Sequence, residues 1–136
     1  MNELWSALWT RLSGGTALTT LLSSGTASIH HLQVPGGSGY PCLTFGVRSG
    51  GDEIDNPHRR VDMTVLIKAI SNVGAKEAGA IDSAADTLLH GSPLTVSGWT
   101  NTSLMREGER IEYVEATPAG DLFYHVGGVY RARLSK

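Results

Sequence analysis

The feature that most constrains the fold of this chain is a change of hydrophobic period between residues 60–70 and residues 75–90. Over 60–70 apolar and polar residues largely alternate, which predicts a β-strand with one buried face. Over 75–90 apolar residues recur every three or four positions, which predicts an amphipathic helix that Gly91 and Pro93 end. Because only the turn 71–74 separates the two patterns, we expect the helix to pack on the sheet that contains the strand.

Shorter patterns extend this strand–helix unit on both sides. Apolar stripes predict two short helices, over 3–12 and from Thr16 to about Ser23, which need to dock on something larger to be stable. Further strands are predicted at 27–34, 41–47, about 94–104, 110–117 and 122–134.

Glycine, proline and polar residues mark the connections. Residues 49–58 have no period and predict an irregular loop, which at this length is usually functional or mobile. Arg106–Glu109 and Thr117–Asp121 are predicted hairpin turns. Gly127-Gly128 interrupts the last strand, which predicts either a bulge or the close approach of another backbone.

Together these elements predict one α+β domain over residues 1–136. It is a mainly antiparallel sheet packed by one long central helix, with two short N-terminal helices. The length suits one domain, and the net charge of −2 argues against a basic protein that coats nucleic acid. No apolar run approaches the roughly 20 residues needed to cross a bilayer, so we expect no membrane partner.

Candidate catalytic and metal-binding side chains are scattered along the chain. His30 and His31 are neighbours on a predicted strand, where their rings point to opposite faces. Cys42, the single cysteine, lies in an apolar run and is expected to be a small buried side chain. The acids of the 49–58 loop lack the spacing of a calcium loop. We therefore predict no enzyme, no catalytic residue, no metal and no cofactor.

Two groups of residues are instead candidates for contacts with a partner. The two N-terminal tryptophans suit either the core or an interface, where tryptophan is enriched. Arginines of the last strand and glutamates of the preceding hairpin suit either cross-strand ion pairs or two oppositely charged subunit surfaces. The candidate interface residues are Trp5, Trp9, Gly50, Gly51, Asp52, Glu53, Ile54, Asp55, Asn56, Arg106, Glu107, Glu109, Arg131 and Arg133.

Short phrases in a fixed order add a further indication. LWSALWTRL and TALTTLLSSG are followed by YPCLTFGVRSG; then HRRVDMTVLIKAIS leads into GAKEAGAIDSAADTLLHG, and RIEYVEATPAGDLFYHVGGVYRARLSK closes the chain. In this order, over nearly the whole chain, they resemble the tail-completion or tail-terminator proteins of long-tailed (siphovirus-like) bacteriophages.

The resemblance implies a structural virion protein. Family members form a homo-oligomeric ring, commonly a hexamer, at the head-proximal end of the tail. The ring caps the tail tube, stops its polymerisation and offers a head–tail joining surface to the head-completion or connector protein. DNA passes through the lumen without specific binding, and assembly takes place in the host cytoplasm.

A ring requires unlike contact surfaces on each subunit, because its contacts run head to tail. The loop 49–58 is the expected reach to the tube or to a neighbour, and an exposed sheet edge could pair with another subunit. Two alternatives stay open: a head-completion or connector protein of the neck, and a small α+β ligand-binding domain with a convergent polar pocket.

Overall fold

A computed structural model describes residues 1–55 and 58–136 and confirms the α+β class. In chain order the elements are α1 Asn2–Ser13, α2 Thr16–Thr19, a 3-10 turn Gly25–Ser28, β1 Ile29–His31, β2 Cys42–Asp55, β3 His58–Ser71, α3 Ala75–Leu89, β4 Thr95–Val96, β5 Trp99–Ala116 and β6 Leu122–Ser135. Two predicted elements are shorter than expected: α2 is a single turn that ends at Thr19, and β1 covers three residues.

The six strands form one curled sheet in the order β1-β2-β3-β6-β5-β4. All neighbours are antiparallel except β1 and β2. The hairpins β2–β3 and β5–β6 point to opposite ends of the sheet, because Arg60 pairs with Ser135 and Ser71 with Tyr124. The curl brings Arg48 of β2 against Glu109 of β5, although two strands lie between them.

The three helices and the core lie on one face of this sheet. Apolar positions of the α1 and α3 stripes are buried there against alternate residues of β3 and β6, because each element has one apolar face. Arg11 holds α1 to the end of α3 through bonds from its guanidinium to the carbonyls of Leu88, Ser92 and Pro93, at 3.0–3.1 Å. The fully buried side chains include Leu4, Leu8, Leu12, Val65, Ile67, Ala78, Ile81, Ala85, Leu89, Tyr130 and Ala132.

The predicted loop over 49–58 is wrong, because β2 continues to Asp55 and β3 starts at His58. Residues 49–53 are exposed, so they have no apolar alternation, and β3 supplies the hydrogen bonds that their sequence does not suggest. Gly50 lies so close to β3 that a Cβ there would be 2.4 Å from the Asp62 carbonyl oxygen. One predicted site residue, Asn56, lies outside the described residues.

The predicted hairpin turn at Arg106–Glu109 is also wrong, because β5 runs through it to Ala116. The pairing of β5 with β6 is irregular between Arg106 and Arg110, so the Gly-containing stretch is a bulge within a strand. The turn at Thr117–Asp121 is confirmed by hydrogen bonds that close it. At Gly127 the close-approach alternative is correct and the bulge is not: the β3–β6 register is continuous, and a Cβ would lie 2.3 Å from the Ile67 oxygen.

Candidate interaction surfaces

A buried ion cluster lies where β5 leaves the layer covered by helices. The Arg106 guanidinium is only 9% exposed and donates through Nη2 to Asp82 Oδ2 at 3.0 Å and to the Gly127 carbonyl at 3.1 Å. Its Nη1 lies 3.6 Å from Asp86, which also accepts a 2.7 Å hydrogen bond from the Tyr130 hydroxyl. Arg106 is therefore placed inside the molecule, whereas the sequence suggests a surface contact.

Burial and charge act against each other in this cluster. Desolvation disfavours the Arg106 cation, but its hydrogen bond to Asp82 and the nearby carboxylates raise its pKa above the usual value. Burial, followed by the bond to Asp86, raises the pKa of Tyr130. The sequence does not single out Asp82 and Asp86 as partners, because both lie off the apolar stripe of α3 and resemble solvent-facing residues.

The face of the sheet opposite the helices carries a row of ion pairs centred on Asp62. Arg131 reaches this carboxylate with Nε at 2.8 Å and Nη2 at 2.8 Å, and Arg133 Nε lies 3.6 Å from it. Glu107 lies 3.6 Å from Arg131, as expected for a cross-strand pair. The bond to Asp62 raises the pKa of Arg131. The register of β3 on β6 places Asp62 directly opposite Arg133 and diagonal to Arg131, and the shorter contacts of its carboxylate are with Arg131.

The two N-terminal tryptophans have different environments. Trp5 is half-buried and packs on the core, with its ring 4.9 Å from His31 and 6.3 Å from Phe45. Trp9 is 44% exposed one turn later on α1. We call Trp5, Trp9, His31 and Phe45 the aromatic patch; it borders an open cleft of about 340 Å³.

A second ring cluster lies on the uncovered face near the β5–β6 turn. His125 is 5% exposed and stacks on Tyr113 at 4.4 Å, while Lys68 Nζ bonds the Tyr113 hydroxyl at 2.9 Å. Glu115 lies 3.6 Å from His125 Nε2, beyond hydrogen-bond length. Burial, and then Lys68, lower the pKa of His125 against the opposing effect of Glu115.

The structure offers little for catalysis or metal binding. Burial raises the pKa of the Cys42 thiol to about 11, which makes it unreactive. No group of three or more histidine, cysteine or acidic residues in the described ranges could hold a metal ion. In the same ranges no helix has the length and apolar character of a membrane span.

The predicted site residues on β2 lie in an exposed extension of the sheet. Gly50 and Gly51 pair with Met63 and Asp62, and the exposed Asp52 accepts a 2.6 Å hydrogen bond from Arg59. The exposed residue Glu53 is paired with Arg60, and the pairing continues through Ile54 and Asp55.

Both outer edges of the sheet are partly uncovered. β1 pairs with β2 only at 43–45, and β4 pairs with β5 only at 99–100. Within 1–55 and 58–136, no backbone hydrogen bond reaches the outer side of β2 over 46–53 or of β5 over 107–116. We call these stretches the β2 edge segment and the β5 edge segment.

Comparison with known proteins decides the family. A model of the family described as "Tail completion protein gp17" matches residues 6–135. The chain belongs to the tail completion protein gp17 family. It is accordingly a structural virion protein associated with the phage tail.

A solved structure with the same fold supports the architecture. A chain of the "Virion of native gene transfer agent (GTA) particle" has a TM-score of 0.79 and 19% identity, with 98% of this chain and 95% of that chain covered. At this identity the likeness is evidence of the fold. No curated protein matches the sequence.

Proposed function

We propose that this tail completion protein is the tail terminator. Six copies form a ring on the head-proximal end of the tail tube. The ring stops tube polymerisation and presents its other side to the head-completion or connector protein. DNA passes through the lumen, and the ring assembles in the host cytoplasm.

The observation that carries the proposal is the pair of unlike free edges. The β2 edge segment and the β5 edge segment lie on opposite sides of one sheet, and no described residue of the same chain pairs with the outer side of either. A closed ring requires two different complementary patches on every subunit, whereas a two-fold dimer requires only one. The arrangement of the edges therefore suits a ring.

The charge of the uncovered strands suits the passage of DNA. The β5 edge segment contains four glutamates and one arginine, and the arginines of β6 beside it are engaged by Asp62 and Glu107. A lumen that held free lysines or arginines would retain phosphates. A surface of this kind repels them and lets the duplex slide.

A ligand-binding function has less support. A cleft of about 690 Å³ is an open groove between α1 and residues 88–97. Its one cation, Arg11, is already bonded to three carbonyl groups of the chain.

Reconstruction of particles, together with tails made without this protein, tests the proposal. We expect a ring of this chain at the head-proximal end of the tube, and tubes of uncontrolled length in its absence. A position on the head side of the joint would favour the connector alternative. A chain that is monomeric both in solution and in the assembled particle would overturn the proposal.

A further inference from the structure

We propose that the ring is closed by strand addition between unlike edges. The β2 edge segment of one copy pairs with the β5 edge segment of the next copy, so the sheets of neighbouring subunits become continuous. This inference rests on the proposed ring and identifies the surfaces that form it.

Both edge segments present free backbone N–H and C=O groups to a possible neighbouring strand. Exposed strands usually carry lysine or proline or are covered, because their free N–H and C=O groups attract other strands. Neither edge segment contains lysine or proline, and a register irregularity lies near the start of each, at Val47–Ser49 and at Arg106–Arg110. Beyond these irregularities, residues 49–53 and 110–116 are regularly paired on their inner side and are suited to pairing with another chain on their outer side.

Apolar side chains are exposed at both edges of the described part of the sheet. Tyr113 and Val114 of β5 are 44% and 54% exposed, and Leu122 across the hairpin is 45% exposed. On β2, Val47 is 40% exposed and lines a small open cleft together with Leu32, which is 67% exposed. Each edge therefore combines free backbone groups with apolar side chains that a neighbouring copy would bury.

Charge favours pairing between a β2 edge segment and a β5 edge segment over pairing between two β5 edge segments. Two β5 edge segments placed side by side would bring rows of glutamates together, and like charges directly opposite are destabilising. The β2 edge segment contains one cation, Arg48, and two acids, Asp52 and Glu53, whereas the β5 edge segment contains four glutamates and one arginine. A β2 edge segment therefore brings less negative charge against a β5 edge segment than a second β5 edge segment would. Pairing between unlike edges is heterologous and can close into a ring.

The register adds a geometric consequence. Val47 is level with Arg106, because the pairs run from Val47 to Val65, Tyr130 and Arg106. Within one subunit the two edge segments thus extend in opposite directions from the same level. Neighbouring copies must then be shifted along their strands, which tilts the strands relative to the ring axis.

Cysteine cross-linking in assembled particles tests the pairing. Ser49→Cys and Glu112→Cys are placed at exposed positions of the two segments, and the buried native Cys42 stays out of reach of the reagent. With a short bis-maleimide, we expect each single variant to stay monomeric on a denaturing gel. Particles that contain both single variants should give covalent dimers, and the double variant should give a ladder up to the full ring.

A matched control places the first cysteine on the helical side. Ser83→Cys on α3 is exposed, and combined with Glu112→Cys it should give no ladder. The register is scanned by moving the second cysteine to Tyr113 and then to Val114. Dimers from one single variant alone would overturn the inference, because like edges would then meet.

The outcome for the ring and the outcome for the pairing are separable. A ring in the reconstruction without a ladder at any scanned position overturns the strand addition and leaves the terminator function standing. Absence of a ring overturns both proposals.

Discussion

The half of the sheet under the helices and the two uncovered edge segments belong to the same sheet but are stabilised differently. Under the helices, Ile67 and Tyr130 are buried among apolar neighbours, so burial holds the strands. In the edge segments almost every side chain is exposed, and the backbone ladder with its ion pairs holds the shape. We infer that the covered half determines the stability of the monomer and the uncovered half is available for assembly.

The largest expected effect is a charge placed in the covered half. Ile67→Asp buries an unpaired carboxylate at a position that is 1% exposed, and should lower the free energy of unfolding by more than about 4 kcal/mol. Chemical denaturation measures the change. Val73→Asp, at a position that is 72% exposed, is the control and should change stability little. Equal effects of the two variants would contradict the assignment of the core.

The buried ion cluster gives the next largest effect. Arg106→Met leaves Asp82 buried without its cation, which should cost about 3–5 kcal/mol. The double variant Arg106→Met/Asp82→Leu should recover most of this loss, because neither charge then remains buried. A double variant as unstable as the single one would show that the cluster acts through packing rather than through charge.

A methyl group at the close approach of β3 and β6 tests the packing of the covered half. Gly127→Ala should cost about 1–3 kcal/mol, because its Cβ would meet the Ile67 backbone. Gly79→Ala is the matched control: Gly79 lies within α3, has open space around its Cβ position, and should gain about 0.5–1 kcal/mol. Thermal unfolding of both variants should therefore shift in opposite directions.

A smaller effect concerns pH and the ring cluster at the end of the uncovered face. The pKa of His125 is lower in the fold than in the unfolded chain, so the unfolded chain takes up a proton first as the pH falls below about 6.5. Stability should be complete above that pH and fall below it, by at most about 1.4 kcal/mol per pH unit. His125→Phe keeps a ring that can stack on Tyr113 and should lose this dependence between pH 7.5 and 5. An unchanged pH profile would assign the effect to other groups.

The variant Val114→Lys should have the smallest effect on stability and a large effect on assembly. Val114→Lys places an edge-protecting lysine at an exposed position and should change the free energy of unfolding by less than about 0.5 kcal/mol. The same variant should fail to form the ring when its mass is measured by light scattering or in particles. Normal rings from Val114→Lys would remove the functional contrast between the two halves.

The sequence predicts the half of the sheet under the helices better than the uncovered edge segments. The strand over 60–70 and the helix over 75–90 were predicted nearly to their ends, because one-sided burial creates a readable period in both. The predicted loop over 49–58 and the predicted turn at Arg106–Glu109 are wrong because residues 49–53 and 107–109 are exposed on both faces of their strands and so have no apolar alternation. For the candidate site, the sequence predicts cross-strand pairing between arginines of the last strand and glutamates of the preceding hairpin, and Glu107–Arg131 is such a pair. The contacts of Asp62 and Asp82 depend on the strand register and on the position of α3, which the sequence does not show.

The opposite orientation of the two long hairpins has a consequence for how such a protein can diversify. When each strand of a hairpin gains two residues, the hairpin lengthens by two cross-strand pairs, and every side chain stays on its original face. Because β2–β3 and β5–β6 extend beyond the helical layer at different ends, either can lengthen without altering the packing between them. The two ends of the molecule can thus adapt to different neighbours at separate rates while the shared interior is inherited unchanged.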